Sequence, residues 1–236
     1  MKKRSDKNAL QDNGPLLLLI DTSTTICVCA LTRGSNLIAE TTLASKNGHS
    51  RHLAGMAEHL LSLFDYSFNN LDAIALSAGP GSFTGLRIGY SYAKGIAHTT
   101  QLPLVEVPTL KLWASTYPQG KQTIMPVVDA RRGDIYTALY EISDSLLKEI
   151  KPPQIIPINN IAEFTSTAVT VLGAGESLKQ ELTEYLPEGS EVILSPLPVP
   201  HPAVFARLAT EAFERQLFSD SSKCEPRYMR PFKGIM

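Results

Sequence analysis

Apolar and polar residues alternate along the chain in blocks that predict strands first and then helices. An apolar run, "LLLLID" at Leu16–Asp21, ends in an acid and predicts a buried strand. The segments "ICVCALTRG" and "NLIAETTLA" follow, and the turn Gly34–Asn36 between them predicts a hairpin. The chain is therefore expected to open with a meander of three strands.

Two amphipathic helices are predicted next, each followed by a buried strand. Apolar residues, among them Leu53 and Leu60, recur at helical spacing from a helix start at Ser50 to Phe64. The strand "LDAIALSAG" then leads into a second helix, "TGLRIGYSYAKGIAHTT", and the strand "LPLVEV" is closed by Pro108. This order of elements is typical of an α/β lobe.

The second half repeats the pattern of the first. "PLLLLIDTSTTICVCAL" and "IMPVVDARRGDIYTALY" each contain an apolar run, an aspartate, a short polar turn and a strand. A strand, a glycine-containing turn and a helix follow in "VTVLGAGESLKQEL", and "HPAVFARLATEAFERQ" predicts a last amphipathic helix. Two halves with the same order of elements predict a sheet in each of two lobes.

The expected organisation has three parts. Residues 1–14 are expected to form a flexible tail, residues 15–108 the first lobe, and residues 109–236 a second, smaller lobe. The last helix, expected at 203–217, is a candidate to pack back on the first lobe.

Composition and charge narrow the class of protein. The 236 residues are 43% hydrophobic and 19% charged, which is enough to form a core. The net charge of −1 gives no overall signal for nucleic-acid binding. Cys27 and Cys29 share one face of a strand and indicate core thiols in a reducing cytoplasm. The run "PLLLLI" is too short for a membrane span, so no membrane association is expected.

A glycine-rich segment, "AGPGSFTGLRIG", lies between a strand and a helix, where many folds bind phosphate. A Walker A loop is excluded because Leu86, and not lysine, follows Gly85. The glycine spacing is one residue too long for a dinucleotide fingerprint, and Pro80 has no N–H to donate. The amides of Ser82, Phe83 and Thr84 at the helix start can receive an anion, and a cap formed by Ser82 or Thr84 is the alternative. Arg87 in the first turn indicates a specific contact, either with an anion or with a carboxylate of this chain or another.

Two turns carry an aspartate directly after a strand, "DTSTT" at Asp21–Thr25 and "DARRGD" at Asp129–Asp134. Two-lobed folds of the actin and sugar-kinase class place such turns against phosphate and Mg²⁺. Asp, Thr, Ser and Gly are also ordinary turn residues, so a structural role is the alternative. The candidate residues for anion or nucleotide binding are Asp21, Thr22, Ser23, Gly81, Ser82, Thr84 and Arg87.

Small residues recur every four positions in the second helix and form a ridge that another helix could approach closely. The neighbour belongs either to the same lobe or to another subunit. If it is another subunit, Gly89→Leu is expected to block association and to leave the monomer folded. The predicted partner interface comprises Leu53, Leu60, Gly85, Leu86, Gly89, Ala93 and Ala97.

Metal and catalytic motifs are not evident. His49, His52 and His59 lack a further ligand at a fixed spacing, so no metal site is assigned. No nucleophile elbow of the form G-x-S-x-G occurs, and no catalytic residue is predicted.

Several segments together resemble the bacterial TsaB (YeaZ) family: "IDTST", "GHSRHL", "AGPGSFTGLRIGYSYAKGIA", "VPTL", "VVDARRGDIYTALY" and "PRYMRP". The resemblance implies a two-lobed actin-like fold (ASKHA, ribonuclease H-like) with a mixed sheet flanked by helices in each lobe. It also implies a non-catalytic role in threonylcarbamoyladenosine (t6A) modification of tRNA. The catalytic paralogue carries an H-x-x-x-H metal motif, and no two histidines of this chain have that spacing.

The resemblance further implies partners. A TsaD-like catalytic paralogue and a TsaE-like ATPase are expected, with tRNA bound through the complex and a homodimer as the alternative. The implied interface is formed by the helices at Ser50–Phe64 and Thr84–Thr99. No cofactor is required by this role, and ATP or ADP at the partner interface is a candidate. Candidate phosphate contacts are Arg131, Arg132, Arg227, Arg230 and Lys233, for which simple solvation is the alternative.

A rival hypothesis assigns the chain to another class. In it, Asp21 and the glycine-rich turn serve a nucleotide-dependent small-molecule kinase or a metallohydrolase of the same fold.

Overall fold

The computed structural model describes residues 13–44, 48–116, 122–143, 146–173, 175–194 and 201–229. Most of the expected tail, residues 1–12, lies outside this part of the chain. The first-lobe strands are β1 (Leu16–Asp21), β2 (Ile26–Arg33), β3 (Asn36–Ala44), β4 (Ala73–Ser77) and β5 (Leu104–Val107). The helices of this half are α1 (His49–Ser62), α2 (Phe83–Thr100) and α3 (Thr109–Ala114).

The described residues of the second half form five more strands and three α-helices. The strands are β6 (Gln122–Arg131), β7 (Asp134–Ser143), β8 (Leu146–Pro157), β9 (Thr170–Leu172) and β10 (Glu191–Val192). The helices are α4 (Ile161–Phe164), α5 (Glu176–Tyr185) and α6 (Pro202–Glu214). Among the described helices, none is both long and apolar enough to cross a membrane.

The two sheets have the same topology. The first has the strand order β3-β2-β1-β4-β5, and the second has the order β8-β7-β6-β9-β10 when read from the matching edge. In each sheet, the first three strands in this order are antiparallel to their neighbours. The fourth strand pairs in parallel with the central strand, and the fifth pairs in parallel with the fourth. The predicted two-lobed, actin-like α/β fold and its internal repeat are therefore confirmed.

The first-lobe sheet is covered by helices on both faces. Side chains of β1 alternate between the faces, as strand geometry requires: Leu18 and Ile20 pack in the layer with α1 and α2, and Leu19 packs in the layer with α6. All six residues of β1 are buried. Such a strand reads as a continuous apolar run, which is why its position was predictable.

The C-terminal residues return to the first lobe. Phe205 and Leu208 of α6 pack with β1 and β5, and Cys224 lies in the core between the sheet and α2. Helix α6, the candidate to pack back on the first lobe, thus covers the first-lobe sheet with its apolar face. Helix α3 lies between the lobes, with Leu112 in the α6 layer and Leu110 against the second sheet.

Candidate functional site

A cleft of about 1030 Å³ separates the lobes. It is lined by the turns that follow β1 and β6, by the start of α2 and by the C-terminal segment, residues 224–229. In this interlobe cleft the two repeated halves present corresponding loops. Four of the predicted anion-binding residues line it: Ser23, Gly81, Ser82 and Thr84.

The Asp21 side chain forms hydrogen bonds within the first lobe. Its side chain is buried, and its Oδ1 atom accepts hydrogen bonds from the Ser23 N–H at 2.8 Å and from the Ser77 hydroxyl at 2.7 Å. These contacts close the turn and tie β1 to β4. The carboxylate therefore has a structural role of the kind that turn chemistry favours.

The glycine-rich loop presses against this turn. The Ser82 N–H donates to the Ser23 carbonyl at 2.7 Å, and a Cβ on Gly81 would overlap that same carbonyl. The Ser82 hydroxyl accepts from the Gly85 N–H at 3.2 Å, so Ser82 is the N-cap of α2. Two amides that could have received an anion thus have partners within the chain.

Arg87 contacts the C-terminal segment. Its Nε donates to the Tyr228 hydroxyl at 3.0 Å, and its guanidinium lies 4.0 Å from the centroid of the Phe83 ring. The Phe83 and Tyr228 rings are themselves 5.0 Å apart. Arg87 therefore contacts two aromatic residues of its own chain, and these partners differ from the anion or carboxylate that the sequence predicted. Thr84 is exposed beside it and lines the cleft.

The small-residue ridge of α2 faces its own sheet. Gly85, Gly89, Ala93 and Ala97 are all buried, and a Cβ on either glycine would overlap Thr22. The ridge is therefore not a surface for another subunit, because the turn after β1 lies against Gly85 and Gly89, and Ala93 and Ala97 are in the core of the same lobe. For the same reason, Gly89→Leu would disrupt the fold itself.

The three leucines of the predicted interface are buried as well. Leu53, Leu60 and Leu86 are at most 2% exposed, and Leu53 and Leu60 lie in the first-lobe core. Of the three, Leu53 also lines the groove described next, and Leu86 lines the interlobe cleft.

A second concavity, of about 570 Å³, lies on the outer side of α1 and α2. This helix groove is lined by Ser50, Leu53, Ala54, Phe83, Thr84, Arg87, Ile88, Ser91 and Tyr92. Thr84, Ile88, Ser91 and Gly95 recur along α2 at helical spacing and form a second stripe of small or apolar residues. The spacing of this second stripe is visible in the sequence, but the partner interface was predicted on the ridge of glycine and alanine instead.

The second-lobe turn is open where the first-lobe turn is buried. The Asp129 side chain is 35% exposed, and its carboxylate accepts from the Arg131 N–H at 2.6 Å and pairs with the Arg131 guanidinium at 2.9 Å. Arg131 and Arg132 both have positive φ, 65° and 62°, at the tip of the β6–β7 hairpin. Both arginines line the cleft. Arg230 and Lys233, the other two C-terminal candidates, lie outside the described residues.

Cys27 and Cys29 are buried in the core, and His49, His52 and His59 lie along α1. Burial, and secondarily the charge of Asp21, raises the pKa of the Cys27 thiol to about 12, and burial raises that of Cys29 as well. His49 is buried at the start of α1, whereas His52 and His59 are exposed. Within the described residues, no three His, Cys, Asp or Glu side chains are grouped as metal ligands would be.

Sequence reasoning missed a polar network that holds the C-terminal segment. The Tyr90 and Ser219 hydroxyls donate to the Glu106 carboxylate, and Lys94 donates to the Cys224 carbonyl at 3.1 Å. Burial, with the hydrogen bond to Glu106, raises the pKa of Tyr90. The network positions the chain for its approach to the cleft.

Comparison with known proteins places this geometry in a family. A family model described as "TsaD: tRNA N6-adenosine threonylcarbamoyltransferase" matches residues 36–223. The Bacillus subtilis tRNA threonylcarbamoyladenosine biosynthesis protein TsaB is 33% identical over 171 residues, 71% of this chain and 75% of that protein. The protein of the same name from Escherichia coli is 34% identical over 127 residues, 53% of this chain and 54% of its own length.

Solved structures agree with the sequence relatives. YeaZ from Pseudomonas aeruginosa has a TM-score of 0.77 at 25% identity, over 91% of this chain and 99% of that chain. The ethanolamine utilization protein EutJ from Carboxydothermus hydrogenoformans shares the fold alone, with a TM-score of 0.50 at 12% identity, over 82% and 90% of the two chains. Since sequence and structure point to the same relatives, the chain belongs to the TsaB (YeaZ) family, which takes part in t6A biosynthesis.

Proposed function

We propose that the chain is a non-catalytic subunit of the t6A modification machinery. It binds and stabilises a TsaD-like catalytic paralogue in the cytoplasm, together with a TsaE-like ATPase, and it meets tRNA through that complex. The proposal assigns no catalytic activity to this chain on its own.

One observation carries the non-catalytic role: the first-lobe loops bind each other. An enzyme of this fold needs the aspartate turn and the glycine-rich loop free for phosphate and Mg²⁺. Here Asp21 accepts from Ser23 and Ser77, and the Ser82 N–H donates to the Ser23 carbonyl. A ligand that took Asp21 Oδ1 or the Ser82 N–H would have to replace these hydrogen bonds, and each group left unsatisfied would cost about 1–3 kcal/mol.

The helix groove supports the choice of partner. The match of residues 36–223 to a TsaD-type family model indicates that such a paralogue contains the same helix pair. Two related chains can therefore associate through equivalent faces, as subunits of a symmetric dimer do. Thr84, Ser91 and Gly95 leave room for close helix approach, and a Cβ on Gly95 would meet nothing within 4 Å.

Two features of the interface follow from this arrangement. A homodimer through the same face competes with the heterodimer, so the two associations should exclude each other. ATP or ADP, if it is held at the partner interface, would bind only when the paralogue is present.

The proposal is tested by reconstitution. The chain, the paralogue, the ATPase, a threonylcarbamoyl-adenylate donor and unmodified tRNA are combined, and t6A is quantified by mass spectrometry. We expect full modification with all three proteins, a large loss when this chain is omitted, and none from this chain alone. Full modification without the chain would contradict the proposal.

The rival kinase or hydrolase hypothesis has its own test. Calorimetry of the isolated chain with Mg·ATP should detect neither tight, Mg²⁺-dependent binding nor turnover. Tight, Mg²⁺-dependent binding accompanied by hydrolysis would replace the subunit proposal with the enzymatic one.

A further inference from the structure

We propose that Arg87, held by Phe83 and Tyr228, binds a carboxylate of the TsaD-like paralogue at the rim of the helix groove. This assignment rests on the proposed function, because it takes the outer face of α1 and α2 as the surface that meets the paralogue. The paralogue then needs an aspartate or a glutamate beside the apolar surface that fills the groove.

Arg87 is a cation without a counter-charge in the monomer. It is the one charged side chain among the described residues that line the helix groove, and it forms no ion pair within the described ranges of the chain. The first turn of α2 contains no acid either. Because the N-terminus of a helix carries partial positive charge, a cation there is unfavourable and an anion is favourable. A carboxylate placed against this guanidinium is therefore stabilised both by the side chain and by the helix.

Two aromatic residues hold the guanidinium group in place. Its central carbon, Cζ, lies 4.0 Å from the centroid of the Phe83 ring and 5.7 Å from that of the Tyr228 ring. Its Nε donates to the Tyr228 hydroxyl at 3.0 Å, and this is its one side-chain hydrogen bond to a described residue. The N–H groups on the two terminal nitrogens remain for a ligand. They form the planar fork that a carboxylate accepts through two parallel hydrogen bonds.

The cluster of Phe83, Arg87 and Tyr228 has the composition of a binding hot spot. Phe83 and Tyr228 are 36% and 38% exposed, although large aromatic side chains are usually more buried. Tyrosine and arginine are enriched among the residues that contribute most to protein–protein affinity. Phe83 lines both the helix groove and the interlobe cleft, so the cluster lies where these two concavities meet. Through Tyr228, the C-terminal segment thus adds a third element to the partner surface of α1 and α2.

The surroundings of the cluster favour a protein over a nucleic acid. The groove beside Arg87 is lined by the apolar residues Leu53, Ala54 and Ile88, and its described lining contains no second cation. A surface that binds the phosphate backbone of a nucleic acid typically carries several lysines and arginines together. An apolar groove with one fixed guanidinium instead matches a partner surface that is apolar and carries one acid.

The test measures the affinity of the full chain for the purified paralogue by calorimetry. Titrations are made at about 50 mM and about 500 mM NaCl, because salt screens an exposed ion pair. Arg87→Gln removes the charge, Arg87→Lys keeps the charge without the fork, and Tyr228→Phe removes only the hydroxyl that holds Nε. Arg215→Gln is the matched control, since Arg215 is exposed at the end of α6, on the opposite face of the first-lobe sheet.

We expect Arg87→Gln to bind roughly ten- to a hundredfold more weakly than wild type, as for the loss of a hydrogen-bonded charge. Arg87→Lys should lose a smaller factor, because an ammonium group keeps the attraction but not the two parallel hydrogen bonds. Tyr228→Phe should lose roughly threefold, since the guanidinium is no longer held before binding. Affinity should fall less with salt in Arg87→Gln than in wild type, and Arg215→Gln should equal wild type. Circular dichroism checks that each variant is folded.

Charge reversal identifies the carboxylate of the paralogue. Arg87→Glu is combined in turn with a lysine substitution of each acidic residue on the paralogue's own helix pair. We expect one of these substitutions to restore the affinity at least about tenfold, because it rebuilds an ion pair of opposite polarity. Binding of a labelled, unmodified tRNA to the complex is followed by anisotropy in the same variants.

Several results would overturn the inference. If Arg87 serves only its own chain, Arg87→Gln will lower the free energy of unfolding and leave the affinity and its salt dependence unchanged. A loss that no paralogue substitution restores would exclude a carboxylate partner on the paralogue's helix pair. Unchanged affinity for the paralogue with weaker tRNA binding would assign Arg87 to an RNA phosphate instead.

The inference and the proposed function can be told apart by their failures. Ser91→Arg places a charge inside the groove itself. If this variant loses the paralogue while Arg87→Gln binds it as wild type does, only the role of Arg87 is excluded. If the wild-type chain does not bind the paralogue at all, both are excluded.

Discussion

The two lobes contain the same sheet but use the equivalent loops in opposite ways. In the first lobe, the aspartate turn and the glycine-rich loop pack against each other, and Asp21 is 3% exposed. In the second lobe, the Asp129 side chain alone is 35% exposed, and Arg131 and Arg132 of the hairpin beyond it line the cleft. One topology therefore supports a closed scaffold in one half and an open charged wall in the other.

The two lobes differ in how closely the loop before the helix, α2 or α5, approaches the neighbouring chain. A Cβ on Gly81 would overlap the Ser23 carbonyl, whereas a Cβ on Gly175, which precedes the corresponding helix α5, would meet nothing within 4 Å. In the first lobe, the contact between the loops holds the start of α2 against the turn after β1.

The largest effect that tests this comparison comes from matched glycine substitutions. Gly81→Ala should lower the free energy of unfolding by about 2–3 kcal/mol, because the new methyl group forces the turn apart. Gly175→Ala should change it by less than about 0.5 kcal/mol, since its φ of −78° suits alanine. Urea denaturation of both variants gives the comparison directly.

Gly95→Ala is the control within the first lobe. This glycine is in the exposed part of α2, so alanine should stabilise the helix by roughly 0.5–1 kcal/mol. If Gly81→Ala and Gly175→Ala were equally harmless, the description of a closed first-lobe loop would be incorrect.

The two aspartates give the next largest effect. Asp21→Asn should cost about 2 kcal/mol, because the two hydrogen bonds to Oδ1 lose their charge assistance and an amide NH2 donor replaces a buried carboxylate oxygen. Asp129→Asn should cost less than about 1 kcal/mol, since an exposed ion pair contributes little and the amide oxygen still accepts from Arg131. Thermal and urea unfolding at neutral pH measure both; equal losses would remove the distinction between the turns.

The smallest effect is a dependence on alkaline pH. Burial raises the pKa of Tyr90 in the first lobe and of Tyr140 in the second, and the hydrogen bond to Glu106 adds to the shift of Tyr90. An unfolded tyrosine ionises near about pH 10, so this contribution is complete below that pH and is lost as the pH rises above it.

Each phenol can add a slope of at most about 1.4 kcal/mol per pH unit above pH 10. Tyr90→Phe and Tyr140→Phe should each reduce the measured slope of unfolding free energy against pH. The buried thiols, whose pKa values are also raised, supply the slope that remains. An unchanged slope in both variants would show that these phenols do not contribute.

Local patterns predicted the strands and helices that carry one clear period. The buried run at β1, the hairpin of β2 and β3 and the repeat beginning at β6 were all found where the pattern indicated. The edge strand β8 was not predicted, because its residues are mixed and include Pro152 and Pro153. An edge strand tolerates proline because, on its open side, no neighbouring strand needs the N–H that proline lacks.

The site was harder to predict because its contacts are distant in sequence. Helical spacing identified the ridge of α2 but could not say that Thr22 fills it, since that contact depends on how the sheet and the helix pack. The Arg87–Tyr228 hydrogen bond joins residues 141 positions apart. No local pattern indicates that the C-terminal segment returns to the cleft.

The central claim is that the outer face of α1 and α2 binds the TsaD-like paralogue. It is tested most directly by the affinity of the purified chain for that paralogue, measured by calorimetry for wild type, Ser91→Arg and Ser166→Arg. Both serines are exposed, but Ser91 lines the helix groove and Ser166 lies on the second lobe. We predict at least about a hundredfold loss for Ser91→Arg, because a buried unpaired charge prevents close helix approach, and wild-type affinity for Ser166→Arg. Equal affinity of Ser91→Arg and wild type would contradict the claim.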